Sequence, residues 1–303
     1  MSAQQQGFSA GVGRWAGSAD VFDGSGRFVG GGADTRHVQP LAAGQVRIDV
    51  SFIGPFRHTG HYIIHDHGDY RIYDGPANVG YAEALSDSLI DANAYWPTLG
   101  LSQRFFLMVL PGGAVQLSLA LMSRGEHLMY AVIGQNDRVT DQAPPPTLIS
   151  GTAYDLGQDP TCGRGVLLLN RAGTWRGQIT LLDGECAPMG LTDSTETVVP
   201  TPKGVQIIRM GGMNDQPHSV SLMCDGWNAW TPYDDPTPEV VGSASLYGGR
   251  ALSGQFHHRA AQMRVWRREV VTHDGTQKAV VNVWYAGGQR IGVEYGVLGF
   301  EAA

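Results

Sequence analysis

Cysteine is scarce. Cys162, Cys186 and Cys224 are an odd number at unrelated spacings, with no CxxC pair among them. Such a set reads as reduced thiols rather than a disulfide framework. Charge is scarce as well, at 16% of the chain, with a formal net charge of −7. The most basic cluster, Arg264, Arg267 and Arg268, is too small to track phosphates, so no nucleic-acid partner is expected. No apolar run approaches the length of a transmembrane helix. The stretch Met1–Gly7 lacks the basic and apolar regions of a secretory signal. The expectation is a soluble cytoplasmic protein with no membrane partner. The common catalytic signatures are missing too: no GxxxxGK[ST], no GxGxxG after a strand, no HExxH, no EF-hand loop and no GxSxG elbow. No cofactor is expected, and any chemistry falls to His, Tyr, Asp and Arg side chains in a pocket.

Glycine, by contrast, is abundant at 42 of 303 residues, which disfavours a helical bundle and favours many strands with tight turns. One stretch occurs twice, as Gly13-Arg14-Trp15-Ala16-Gly17 and Gly173-Thr174-Trp175-Arg176-Gly177. An offset of 160 positions superposes the pentads and continues without a gap. It lays Asp23-Gly24 on Asp183-Gly184, Val38 on Val198, Ile48 on Ile208 and His58 on His218, then Tyr73-Asp74 on Tyr233-Asp234 and Arg104 on Arg264. A duplicated domain is therefore expected, with one copy over 8–142, the other over 166–303 and a linker over 143–165, the stretch Thr140–Leu148 with Pro144-Pro145-Pro146 reading as stiff. In the first copy Val46, Ile48, Val50 and Phe52 alternate with Arg47, Asp49 and Ser51, the pattern of a half-buried strand. A hairpin across His58–Tyr73 turns near Asp66–Asp69, residues 78–100 suit a short helix or lid loop, and three strands follow. The fold class expected is all-β: two tandem antiparallel meanders of about eight or more strands, each closing into a barrel.

A GxW at the start of the first strand of such a meander resembles the lipocalin/calycin superfamily. That resemblance implies that Trp15 and Trp175 each close one end of a barrel and pack against an arginine from a late strand. Arg104 and Arg264 are the arginines repeated in register, although they fall in the third strand from the end. The second pentad is also similar to the opening of haem-binding nitrobindin-like barrels; those need a proximal His late in the domain, and Ile291–Ala303 contains none. Tandem barrels of this kind resemble carotenoid hydratases and some cyclases of natural-product pathways.

The strongest local signal is His58–Asp69, which holds four of the ten histidines. Strand alternation puts His58 on one face with Tyr62 and Ile64, and His61, His65 and His67 on the other. Val220, Leu222 and Cys224 are apolar in the register of His218, so His58 and His218 are expected to point into the lumen. If the Asp225-Gly226 turn sets the register, His218 opposes Tyr233, and the same spacing opposes His58 and Tyr73. A lumenal His–Tyr pair can act as general acid or base, anchor a polar ligand end, or satisfy its own buried hydrogen bonds. His61, His65 and His67 have no counterpart in the second copy. Three imidazoles on one face could hold Zn²⁺ or another borderline metal, or form a polar outer wall. His65-Asp66-His67 is also similar to the HxH of cupins, without the glutamate that pattern requires. In the second copy Trp227 and Trp230 suit either stacking on an aromatic or polyene ligand or ordinary packing.

Two functional readings follow. One is a cofactor-independent isomerase, cyclase, hydratase or lyase acting by acid/base catalysis on an apolar aromatic or isoprenoid-like molecule. Its candidate catalytic residues are His58, Tyr73, Arg104, His61 and His65; Tyr62, Arg71, His218, Tyr233, Trp227 and Trp230 are candidates for ligand binding. The other is a non-catalytic intracellular carrier for a hydrophobic ligand, with a His-ligated metal enzyme as a further alternative. A homodimer is left open.

Overall fold

A computed structural model describes residues 8–42, 44–140, 171–214, 217–225, 228–232 and 239–303. The expected linker, Trp227 and Tyr233 lie outside the described residues. The chain divides into two compact units, Met1–Ala153 and Tyr154–Ala303.

Ten antiparallel strands build the first unit. They are β1 (Gly13–Asp23), β2 (Phe28–Pro40), β3 (Gln45–Ile53), β4 (Arg57–Asp66), β5 (Tyr70–Asp74), β6 (Val79–Glu83), β7 (Leu89–Trp96), β8 (Leu101–Val109), β9 (Val115–Arg124) and β10 (His127–Arg138). Each pairs with its sequence neighbours, and β10 returns to pair with β1, which closes the barrel. The second unit repeats the plan with β11 (Gly173–Asp183), β12 (Pro188–Thr201), β13 (Gly204–Met210), β14 (His218–Asp225), β15 (Asn228–Trp230), β16 (Val240–Tyr247), β17 (Ala251–His258), β18 (Met263–Val271), β19 (Gln277–Ala286) and β20 (Gln289–Ala302), closed by β11 and β20. The chain is thus two tandem closed antiparallel meander barrels.

The short helix or lid expected over 78–100 is instead β6, β7 and the turn after them. Small inward alanines (Ala82, Ala92 and Ala94) alternate there with exposed Val79, Tyr81 and Tyr95, a period of two that an alanine-rich composition disguises.

Both glycines of each pentad have a structural reason. Gly13 and Gly173 sit at φ +127° and +147°, which side chains rarely adopt. A Cβ on Gly17 would lie 2.0 Å from the Gln135 carbonyl oxygen, and one on Gly177 would lie 2.4 Å from that of Val297. The pentad therefore lets the closing strand approach closely. The tryptophan between the glycines is buried in both units and packs into that unit's cluster of apolar core residues.

Cross-strand partners of the two tryptophans correct the arginine expectation. Trp15 is flanked by Arg36 on β2 and Arg138 on β10, and the Arg138 guanidinium lies 4.3 Å from the indole centre. Trp175 is flanked by Glu196 and Phe300, whose ring is 4.8 Å away. Arg104 does neither job: it points outward and pairs with Asp91 at 3.2 Å. The offset of 160 holds through the first hairpin and then drifts. By β7 and β17 the equivalent pairs are Trp96↔Leu101 and His258↔Met263, an offset of 162. At that offset Arg104 corresponds to Trp266, so its match with Arg264 has no structural counterpart.

Candidate functional site

The lower half of the first barrel is filled by Trp15, Val46, Ile48, Ile64, Tyr73 and their neighbours. Above them a cavity of about 120 Å³ remains. Its wall is mostly apolar, with Val50, Phe52, Phe56, Leu99, Phe105 and Met122 among the lining residues, and its polar groups come from Asp34, Arg36, His58, Tyr62, Gln103 and Ser118.

Strand periodicity delivers these polar groups. Asp34 and Arg36 are two apart on β2 and share the inner face, as do Gln103 and Phe105 on β8. The Arg36 guanidinium donates to Asp34 Oδ2 at 2.6 Å, to Ser118 Oγ at 3.2 Å and to Gln116 Oε1 at 3.4 Å. Gly134 on β10 makes room for this cluster: a Cβ there would sit 2.5 Å from Ser118 Oγ. The indole N–H of Trp96 donates to Gln103 Oε1, which fixes the orientation of that amide. Tyr62 lies beneath, edge-on to Trp96 at 6.4 Å, and burial pushes its hydroxyl up to about 12.

His58 does line the cavity. Its ring meets Trp96 edge-on at 4.6 Å, and Nδ1 lies 3.4 Å from Thr98 Oγ1 in the turn after β7. Nε2 is buried with no hydrogen-bond partner among the described residues, and burial lowers the imidazole pKa below its ordinary value. The ring is therefore neutral at pH 7.

The expected His58–Tyr73 pair does not form. The turn closes with His67 N–H donating to the Tyr70 carbonyl, so the β4–β5 ladder sets Tyr73 opposite Ile64. Tyr73 is packed against Tyr62 and Phe105 in the filled half, and burial drives its hydroxyl far above the ordinary tyrosine value. In the second barrel the β14–β15 ladder pairs Asp225 with Asn228, so the turn sits one residue further along the chain than expected, and among the described residues His218 meets the ring of His258, 4.6 Å away.

The remaining candidates disperse. His61 and His65 point outward; His65 Nε2 is 3.7 Å from Asp74, and His67 stacks on Tyr70 at 4.8 Å. Among the described residues no group of three or more His, Cys, Asp or Glu side chains is placed to hold a metal ion. Arg71 is buried and spent on structure: it donates to the Leu89 and Ser86 carbonyls and pairs with Asp66. Trp230 follows the core residue Ala229 along β15, so it faces outward rather than into the lumen. Of the sequence candidates among the described residues, only His58 and Tyr62 share the cavity.

The second lumen shows what the first lacks. With the offset of 162 that relates β9 to β19, Asn282 stands for Ala120, Trp284 for Met122 and Lys278 for Gln116. Lys278 Nζ lies 2.5 Å from Glu196 and 3.0 Å from Glu269, Arg267 pairs with both carboxylates, and Arg209 pairs with Glu294 at 2.6 Å. Three cations balance three carboxylates. The basic neighbours Arg267 and Lys278 hold the Glu196 carboxyl well below the usual range even though burial opposes them. About 20 Å³ of cavity is left, beside His218 and His258.

No protein-family model matches the sequence, and no curated protein matches it. Among solved structures, a protein of unknown function from the DUF3598 family of Nostoc punctiforme PCC 73102 is similar over 100% of both chains, with a TM-score of 0.59 and 13% identity. That likeness shows a shared fold. An S-type phycobiliprotein lyase, CPES, from Guillardia theta matches 45% of this chain and 92% of its own, with a TM-score of 0.36 and 10% identity. The redesigned β-barrel mFAP1, bound to DFHBI, matches 44% of this chain and 99% of its own, with a TM-score of 0.29 and 13% identity. Both are too distant to bear on the site.

Proposed function

We propose that the protein binds a small, largely apolar molecule in the lumen of its first barrel, and that the second barrel is a filled structural unit. One observation carries this reading: two barrels of one plan treat their lumens oppositely. About 120 Å³ is kept in the first, and about 20 Å³ beside a balanced ion network in the second. A cavity of roughly 150 Å³ takes up benzene, so the first lumen suits a molecule of about one ring. A longer isoprenoid chain would have to extend through the mouth, because the lower half is occupied. Binding is favoured over turnover because the register separates His58 from Tyr73.

The test fills the cavity. Ala120 lines it and is only half-buried. With toluene and indole as probes, native mass spectrometry and calorimetry should show one molecule bound to the wild type, and Ala120→Phe should weaken uptake at least tenfold. Leu252→Phe, in the second barrel, should not. Equal uptake by Ala120→Phe would sink the assignment to this lumen.

A further inference from the structure

The charge arrangement in the first lumen narrows the polar character of the ligand it can take. We propose that the first barrel selects a neutral, single-ring molecule carrying a hydroxyl group, a phenol in chemical class. This rests on the lumen being a ligand site.

Charge comes first. Asp34 and Arg36 are the charged side chains on the cavity wall, and they neutralise each other at 2.6 Å. An aromatic carboxylate entering this space would lose its hydration and find the one guanidinium already bound to a carboxylate and two further acceptors. An aromatic ammonium would have to draw Asp34 away from Arg36. Both carry a desolvation cost that a neutral ring avoids.

Hydrogen bonding comes second. Gln103 has its carbonyl oxygen occupied by Trp96, so its amide N–H groups remain to be used. The Tyr62 hydroxyl has no hydrogen bond within the described residues and stays protonated. Asp34 engages Arg36 through Oδ2, which leaves Oδ1 as an acceptor. All three side chains are more than nine-tenths buried and line the same cavity. A ligand hydroxyl both donates and accepts, so it can give its proton to Asp34 and take one from Gln103 or Tyr62. A bare hydrocarbon ring would displace water and leave these groups without partners, the situation in which polar sites discriminate most strongly. The aromatic wall of Phe52, Phe56, Trp96 and Phe105 supplies the ring contacts.

The test is isothermal titration calorimetry at pH 7 on the full chain with phenol, benzene, benzoate and benzylammonium. Phenol should bind at least tenfold tighter than each of the other three. Gln103→Leu should bring phenol down toward the affinity benzene has for the same variant. Asp34→Asn leaves Arg36 uncompensated, so benzoate should bind at least tenfold tighter to it than to the wild type. If Asp34→Asn does not fold, Gln103→Leu decides alone. Benzene binding as tightly as phenol, or either ion binding tightest to the wild type, overturns the phenol class and leaves the binding reading standing. Failure of all four probes overturns both.

Discussion

Arg138 ties the base of the first barrel together through four contacts. It covers Trp15, donates to the Ala10 carbonyl at 2.9 Å and the Gly113 carbonyl at 2.7 Å, and also donates to Val12. Arg138→Met keeps the stem and removes every donor. Losing three charge-assisted hydrogen bonds and a cation–π contact should cost about 3 kcal/mol, read as a lower urea midpoint for the full chain. An unchanged midpoint would mean that Phe8, itself buried, holds the N-terminal segment unaided. Arg138 is not legible from the repeat for a physical reason: its counterpart is Phe300, so one copy uses a cation where the other uses a ring. Gln103 and Asp34 escaped because nothing in their local pattern separates a lumenal amide or carboxylate from a surface one. His58 and Tyr62 were legible because alternation along one strand fixes the face a side chain takes. A second residue-scale prediction concerns Cys186, at φ +68° where the first copy has Gly26 at +77°. Cys186→Gly should stabilise the protein by about 1 kcal/mol in the same urea assay, since only glycine adopts that conformation without strain.

Strands carry the next level of information, and they were legible unevenly. β3 announced itself by clean alternation of apolar and polar residues, whereas β6 and β7 were hidden by alanines. Registers proved harder than strands, because a ladder is set by turn geometry and one slipped residue moves every partner. That is how Tyr73 came to be matched with His58 when the ladder gives it Ile64. In the second barrel the strands β12, β18 and β19 bring Glu196, Arg267, Glu269 and Lys278 into one buried network. Such a network adds little net stability over apolar packing, but breaking it is costly, since a charge is left without its partner. Lys278→Met should therefore lose about 3–5 kcal/mol. Adding Glu269→Gln to that variant restores the charge balance and should recover part of the loss. A double variant no more stable than the single one would show that Lys278 matters through its packing against Trp175 instead.

Across the whole molecule, the buried histidines set how stability follows pH. Burial, helped by His218, Arg209 and Arg267, lowers His258 to about 3, and burial beside Arg250 lowers His273 to about 4, against an ordinary value of 6.5. Burial lowers His58 in the same direction. Below the ordinary value the unfolded chain takes up protons that the folded chain refuses, so the unfolded state gains as pH falls. The contribution of His258 to stability is whole above pH 6.5 and is lost downward toward pH 3, and that of His273 toward pH 4, each by about 1.4 kcal/mol per pH unit, while His58 adds to the loss in the same direction. Between pH 6 and 5 the unfolded carboxylates are still mostly ionised, so most of the slope belongs to the histidines. Further down, the depressed carboxyls of Glu196 and Glu294 add their own loss as they are protonated. Urea titrations at pH 5, 5.5 and 6 should show stability falling with acid, and His258→Leu should remove about 1.4 kcal/mol per pH unit from that slope. An unaltered slope in the variant would mean that His258 takes up its proton as readily in the folded barrel as in the unfolded chain. The second lumen would then be wetter than its packing indicates, and the contrast between a filled barrel and a hollow one, on which the functional reading stands, would weaken with it.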